Sequence, residues 1–216
     1  RFQSETPNFY KGFFSISGPR HYLDIFPKDT GKFIPAGSRM YLQIHYATKG
    51  KKVRNQLKVG LYFHDSPPKN ELYTRTAQTS NILLPPQTKF IPVEAVFTLP
   101  TDAVLYELIP HMHARGKAFK YIAQFPDGSE ETLLSVPNYN FYWQTMYELS
   151  EPLQMPKGTK IIAKGVYDNS DKNPLNPDPD VWVRKGFKTT DEMFIGYMNL
   201  TRPVKDNYSI LGFIPL

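Results

Sequence analysis

Two histidines separated by one residue, His111 and His113, are the side chains of this sequence best suited to bind a metal ion. On an extended strand, side chains two residues apart point the same way, so both imidazoles project from one face. Two neutral imidazoles at this spacing can bind one metal ion. A thioether from elsewhere in the fold would favour a soft, redox-active ion such as copper over zinc or calcium. The surroundings of the pair decide whether it binds metal.

Two further segments hold possible partners for the histidine pair. Asp191-Glu192-Met193 opens an alternating segment in which Ile195 and Tyr197 share the face of Met193. Core packing is the commoner role of a methionine at such a position. His45 lies in another alternating segment, residues 39–46, on the face opposite its apolar stripe. Taken alone, His45 is more typical of an ordinary hydrogen-bonded histidine.

Other metal sites fit the residues less well. A cupin-type site needs a carboxylate four or five residues after the second histidine, where this sequence has Lys117 and Ala118, and a further histidine, whereas none follows His113. A site with two histidines and one carboxylate, which binds iron, lacks its nearby acid. The acidic loop 168–174 has no central glycine or terminal glutamate, so a surface loop built on Asx turns is favoured over a calcium loop.

Composition excludes several classes of protein. The 216 residues include no cysteine, which rules out disulfides, thiolate metal ligands and cysteine nucleophiles. The sequence contains no apolar run long enough for a transmembrane segment. Its net charge is +6, but the densest basic run, residues 49–54, lacks interleaved aromatic residues and is typical of a solvated loop. We therefore expect no nucleic-acid partner.

The elements that must position the candidate ligands are strands. Twenty prolines and thirteen glycines separate short alternating segments, and no helical period is sustained, which predicts an all-β, antiparallel, jelly-roll-like β-sandwich. Two sandwich units are expected, of which the first is incomplete. Residues 65–79 are the best candidate linker because they are polar and contain proline. The predicted strands are residues 39–46, 56–63, 90–99, 103–109, 118–125, 159–167 and 193–200.

Three motifs in this order resemble the copper type II, ascorbate-dependent monooxygenases, which include the peptidylglycine α-hydroxylating and dopamine β-hydroxylating enzymes. They are the strand Gln43-Ile44-His45-Tyr46, then His111-Met112-His113, then Asp191-Glu192-Met193. Residues 111–198 look most like bacterial members. The resemblance places residues 1–69 in the closing part of the N-terminal copper monooxygenase domain and residues 70–216 in the C-terminal domain.

The resemblance implies a site and a reaction. In that family two jelly-roll-like sandwiches face each other across a cleft, and each holds one copper. His111, His113 and Met193 correspond to the ligands of the catalytic copper, where the substrate is hydroxylated with dioxygen. His45 corresponds to one of three histidines at the electron-transfer copper, and ascorbate is the external reductant. An extracytoplasmic location follows from the same resemblance, whether periplasmic, cell-surface or secreted.

Two departures from the family pattern limit what is expected. The adjacent His-His pair that completes the electron-transfer site is absent, so either an upstream segment or a partner chain supplies it, or the second site is lost. Ile109 stands where the peptide-amidating enzymes have an arginine for the substrate carboxylate. The substrate, a small molecule or a peptide, therefore stays unknown. The alternative is a non-catalytic copper-binding or assembly module of a larger protein or complex.

Overall fold

The computed structural model describes residues 13–16, 23–46 and 50–204, and every regular element in these ranges is a strand. None of the described residues forms a helix that could cross a membrane. The strands are β1 (Thr30–Gly31), β2 (Asn70–Thr79), β3 (Leu83–Leu84), β4 (Thr88–Thr98), β5 (Ala103–His111), β6 (Gly116–Gln124), β7 (Glu130–Val136), β8 (Tyr147–Met155), β9 (Lys160–Asn169), β10 (Val183–Arg184) and β11 (Phe194–Pro203).

Two main sheets form the β-sandwich. The five-stranded sheet has the order β1-β2-β11-β5-β8, and the four-stranded sheet has the order β4-β9-β6-β7. A small two-stranded sheet joins β10 to β3. All pairs are antiparallel except β1 with β2. The predicted all-β, antiparallel sandwich is therefore confirmed.

The core lies between the two main sheets. Phe194 of β11 stacks on Phe119 of β6, with ring centroids 4.7 Å apart and planes inclined by 21°. Gly165 of β9 permits this contact, because a β-carbon there would lie 2.4 Å from the ring of Phe194. Gly196 of β11 likewise leaves room for the ring of Tyr121. A glycine in each sheet thus leaves space in which large aromatic side chains pack between the sheets.

Five of the seven predicted strands are present, with ends shifted by a few residues. The prediction of a linker over residues 65–79 is wrong for most of its length. Asn70–Thr79 is a ten-residue strand that pairs with β11 along its full length. Tyr73 and Ala77 of this strand enter the core between the sheets, and polar residues separate them in the sequence. Glu130–Val136 and Tyr147–Met155 are strands that the sequence patterns did not reveal.

The predicted strands at residues 39–46 and 56–63 are not present. Both segments lack strand pairing, and their large apolar side chains are exposed. Tyr62 is 95% exposed and Phe63 is 76% exposed. An alternating pattern specifies which face a strand would bury, but the strand forms only when another surface covers that face. Within the described ranges, no such surface packs against these segments.

A series of hydrogen bonds between largely buried polar side chains attaches the N-terminal segment to the outer face of the five-stranded sheet. The Lys32 ammonium donates to the Phe14 carbonyl and to Thr74 Oγ1. Thr74 in turn donates to Asn199 Oδ1 at 2.6 Å, and Asn199 Nδ2 donates to Glu107 Oε2 at 2.6 Å. Burial lowers the pKa of Lys32 to about 8, while the negative charges of Asp24 and Glu107 act in the opposite direction. Three strands and the N-terminal segment therefore share one network.

The lowered pKa of Lys32 predicts a rise of stability with pH. Between pH 8 and 10.5 the native state binds fewer protons at Lys32 than the unfolded state, so the free energy of unfolding increases with pH. Urea unfolding at pH 7.5 and 9.5 should show a gain of about 2 kcal/mol from this residue. Lys32→Met should lack this gain, whereas exposed Lys69→Met should keep it. Equal pH profiles for wild type and Lys32→Met would contradict the assignment.

Candidate metal centre

The register of two central strands places the candidate ligands on one face. His111 of β5 lies opposite Ile195 of β11. Met112 and Phe194, which follow and precede these residues, are fully buried in the sandwich core. Since neighbouring strand residues alternate, His111 points to the opposite, outer face of the sheet. The predicted phase of the His-Met-His motif is confirmed.

The two imidazoles lie side by side at the end of β5. Their ring centroids are 5.2 Å apart, with planes inclined by 83°. His111 Nδ1 lies 2.6 Å from Gln144 Oε1, and His113 Nδ1 lies 2.9 Å from the Asp191 carbonyl oxygen. Because the Gln144 amide nitrogen donates to the Phe141 carbonyl, its oxygen faces His111 as an acceptor. Both Nδ1 atoms are therefore donors, and each Nε2 keeps a lone pair for a metal ion.

Both histidines favour the neutral form that binds metals. Burial lowers the pKa of His111 to about 4, which outweighs the opposing hydrogen bond to Gln144. Burial also lowers the pKa of His113, against its hydrogen bond to the Asp191 carbonyl. A positive charge on His45 would lower both values further. A metal ion at this pair would not have to displace protons at neutral pH.

Met193 lies in an apolar cluster on the same outer face. Its side chain is 8% exposed and packs with Ile109, Ile195 and Tyr197. The ring of Phe13, from the N-terminal segment, meets Tyr197 edge to face at a centroid distance of 5.0 Å. The predicted phase of Met193 with Ile195 and Tyr197 is confirmed. The structure thus brings His111, His113 and Met193 to one end of the outer face, where the thioether is shielded from water.

His45 is placed differently from the sequence prediction. It is exposed and lies in a segment without strand pairing, although it is near enough to His111 and His113 to influence the pKa of both. His64 lies elsewhere, with Nε2 hydrogen-bonded to the Thr30 carbonyl. In the described ranges, no three histidine, aspartate or glutamate side chains gather as a metal site. A metal centre at His111 and His113 therefore needs a donor of another type, and Met193 offers one.

Two tyrosines hold the backbone around the candidate ligands. The Tyr139 hydroxyl accepts from the Met112 N–H at 2.9 Å and donates to the Met112 carbonyl at 2.8 Å. Tyr167, from the opposite sheet, donates its hydroxyl to the Met193 carbonyl at 2.7 Å. Both tyrosines are buried. The backbone of each candidate segment is thus fixed by a side chain distant in sequence, which no local pattern could reveal.

Glu192 is a further residue whose contacts could not be recognised in the sequence. Its fully buried carboxylate accepts from the His113 N–H at 2.8 Å and from the Arg115 N–H at 2.7 Å. Burial raises the pKa of Glu192 to about 7, although these N–H groups and the Arg115 charge favour the ionised form. The sequence shows two acidic residues directly before Met193, but it does not show which groups their side chains contact.

Arg115 and Asn169 connect the site to a long loop. The buried guanidinium donates to Asn169 Oδ1 at 2.7 Å and to the Thr190 carbonyl at 2.8 Å. In the same loop, Asp168 Oδ1 accepts from both the N–H and the hydroxyl of Ser170. This is the Asx turn that the sequence predicted in preference to a calcium loop. The loop therefore serves to hold Arg115 behind the candidate metal centre.

Comparison with protein families gives one match that covers more than half of the chain. The model described as the C-terminal domain of copper type II, ascorbate-dependent monooxygenases matches residues 72–209. The candidate ligands His111, His113 and Met193 all lie within this range.

Two viral chains are among the solved structures with which this chain has a distant similarity. A chain of the T13 particle of infectious bursal disease virus is 10% identical with a TM-score of 0.31, and the match covers 68% of this chain and 34% of the viral one. A chain of the Gt strain of the same virus is 11% identical with a TM-score of 0.31, covering 67% and 35%. The chain thus spans about a third of the length of these viral chains.

The double hydrogen bond of Tyr139 predicts a measurable loss of stability. Tyr139→Phe keeps the ring but leaves the buried N–H and carbonyl of Met112 without the hydroxyl, so it should lower the free energy of unfolding by about 1–3 kcal/mol. Exposed Tyr142→Phe is the matched control and should change it by less than about 0.5 kcal/mol. Urea denaturation measures both. Equal midpoints for Tyr139→Phe and wild type would contradict the role of this hydroxyl.

Proposed function

Because the chain belongs to the copper type II, ascorbate-dependent monooxygenase family through its C-terminal domain, we propose that it carries the oxygen-activating half of such an enzyme. The observation that supports this most is the pair His111 and His113, whose Nδ1 atoms are both hydrogen-bonded while Met193 lies on the same face. In this proposal all three side chains bind one copper ion.

The donor set fits copper. Two neutral imidazoles and one thioether form a soft, uncharged ligand set, which suits Cu(I) better than zinc or calcium. The hydrogen bonds at Nδ1 are of the kind that orients metal-bound histidines in proteins. Ile109 and Ile195, which pack with Met193, have no side-chain oxygen that could compete as a hard metal ligand.

When bound, copper would supply dioxygen activation and one-electron transfer for hydroxylation of a substrate C–H bond. The residues of this chain would prepare that chemistry in several ways. Gln144 and the Asp191 carbonyl keep the imidazoles in the tautomer that offers Nε2 to the metal. Ile109, Ile195 and Tyr197 exclude water from the thioether side.

The site also suggests what the substrate lacks. Ile109 occupies the position at which peptide-amidating relatives have an arginine, and here it is buried against Met193, Ile195 and Tyr197. An aliphatic side chain in that place offers no charge to a substrate carboxylate. We therefore propose a substrate, small molecule or peptide, that is not anchored through a carboxylate at this position.

The proposed domain division is residues 1–69 as the closing part of an N-terminal domain and residues 70–216 as the C-terminal domain. The exposed apolar side chains between residues 39 and 63 support the first part of this division, since they are suited to packing against a further sandwich. His45 would then join an electron-transfer site completed by an upstream segment or a partner chain, with ascorbate as reductant. An extracytoplasmic location is part of the same proposal.

A second candidate is a non-catalytic copper-binding or assembly module. The exposed position of His45, outside any strand, favours this alternative, because one exposed histidine cannot hold an electron-transfer copper. The two candidates differ in oxygen consumption with ascorbate. If the copper-loaded protein consumes oxygen faster than copper-loaded His111→Ala, the enzyme is favoured, whereas equal rates favour the module.

Copper loading tests the site directly. After incubation with copper and dialysis, wild type should retain about one copper per chain, because the three donors act together. His111→Ala should lose most of it, since a single imidazole and a thioether remain. His64→Ala is the matched control and should behave like wild type, because His64 bonds to Thr30 instead. Metal analysis that finds equal copper in wild type and His111→Ala would contradict the assignment.

A further inference from the structure

We propose that Glu192 is a positioning residue of this centre, which sets the separation between the histidine pair and Met193 because its carboxylate holds the backbone of His113 and Arg115 next to the residue before Met193. This inference rests on the proposed copper site and deepens it. Glu192 itself points away from the metal position, since both of its oxygens bond to backbone N–H groups. It would act through the ligands and not on the substrate.

The contacts of the carboxylate bridge residues that are far apart in sequence. Oε2 accepts from the His113 N–H and Oε1 accepts from the Arg115 N–H, across 79 and 77 positions of the chain. Glu192 is also the residue directly before Met193, so its backbone is continuous with that of the candidate thioether ligand. One side chain therefore joins the backbone of one candidate ligand, His113, to the residue that precedes another, Met193.

The strand ladder cannot provide this connection. Pairing between β5 and β11 ends at His111 and Ile195, so no ladder hydrogen bond between these two strands joins the backbone of His113 to that of Met193. Two buried N–H groups remain beyond the end of β5, from His113 and Arg115, and each needs an acceptor. A carboxylate has two oxygens and satisfies both. A glutamine would offer one oxygen and turn its NH₂ group toward an N–H donor.

The neighbours of Glu192 contribute to the same ligands. The carbonyl of Asp191 accepts from His113 Nδ1, and the next residue after Glu192 is Met193. In this tripeptide Asp191 therefore accepts a hydrogen bond from the His113 ring, Glu192 accepts one from the His113 backbone, and Met193 provides the thioether. The buried Arg115 guanidinium balances the carboxylate charge, and it is itself held by Asn169 and Thr190.

The test compares Cu(I) affinities of the full chain by competition with a chromophoric chelator. Glu192→Gln should weaken copper binding by roughly 10- to 100-fold, as found when groups behind metal ligands are replaced. Glu71→Gln is the matched control, because Glu71 is also largely buried and paired, with Arg202, at the far end of β2 and β11. Its affinity should stay within about twofold of wild type. The Cu(II) electron paramagnetic resonance spectrum should change for Glu192→Gln and not for Glu71→Gln.

A second measurement does not depend on whether Glu192→Gln folds. In the metal-free wild type, hydrogen exchange of the His113 and Arg115 amides should be much slower than that of residues 39–46, which have no strand pairing. Exchange as fast as in residues 39–46 would overturn the proposal.

The affinities separate the remaining outcomes. If folded Glu192→Gln binds copper as tightly as wild type, or if Glu71→Gln loses as much affinity, the positioning role is wrong while the copper site stands. If wild type itself binds no copper, the proposed function is wrong and the positioning role with it.

Discussion

The alternation of β11 between the core and the outer face is the constraint on which the candidate site depends. Phe194 and Met198 enter the core, so Met193 and Ile195 must face outward. A slip of one residue would exchange these two sets. The opposite sheet prevents the slip, because Phe194 stacks on Phe119 and fits only over Gly165. The packing of the sandwich core therefore fixes the phase of a site that lies outside it.

The site itself divides into an outer side that offers donors and an inner side that holds backbone. On the outer side are two neutral imidazoles and a thioether among apolar neighbours. On the inner side, Tyr139, Tyr167 and Glu192 bond to backbone groups just beyond the ends of the strands. This arrangement places the polar groups where N–H and carbonyl groups would otherwise be buried without partners. The donors can then be rigid without being bonded to one another.

The local part of this architecture could be predicted from the sequence. The phase of the His-Met-His motif and of Met193 follows from the two-residue period of a strand, which needs no knowledge of the partner strand. The turn at residues 126–129 is also local, because Pro126 presets its own φ and Gly128 accepts the positive φ of 88° that it adopts.

The contacts made across the fold could not be predicted. The polar, proline-containing composition of residues 65–79 favours a linker, yet pairing with β11 makes Asn70–Thr79 a strand. Residues 39–46 have a good strand pattern but no covering surface among the described residues, so His45 is not held as expected. The hydrogen bonds of Glu192 and Tyr139 join positions 27 to 79 residues apart, and a single sequence carries no record of such pairs.

Copper K-edge X-ray absorption on the chain loaded with stoichiometric Cu(I) reports directly which atoms bind the metal. We expect a first coordination shell with two imidazole nitrogens and one sulfur, and loss of the sulfur in Met193→Leu. A wild-type shell without sulfur, or a sulfur that persists in Met193→Leu, would contradict the claim that His111, His113 and Met193 form one copper site.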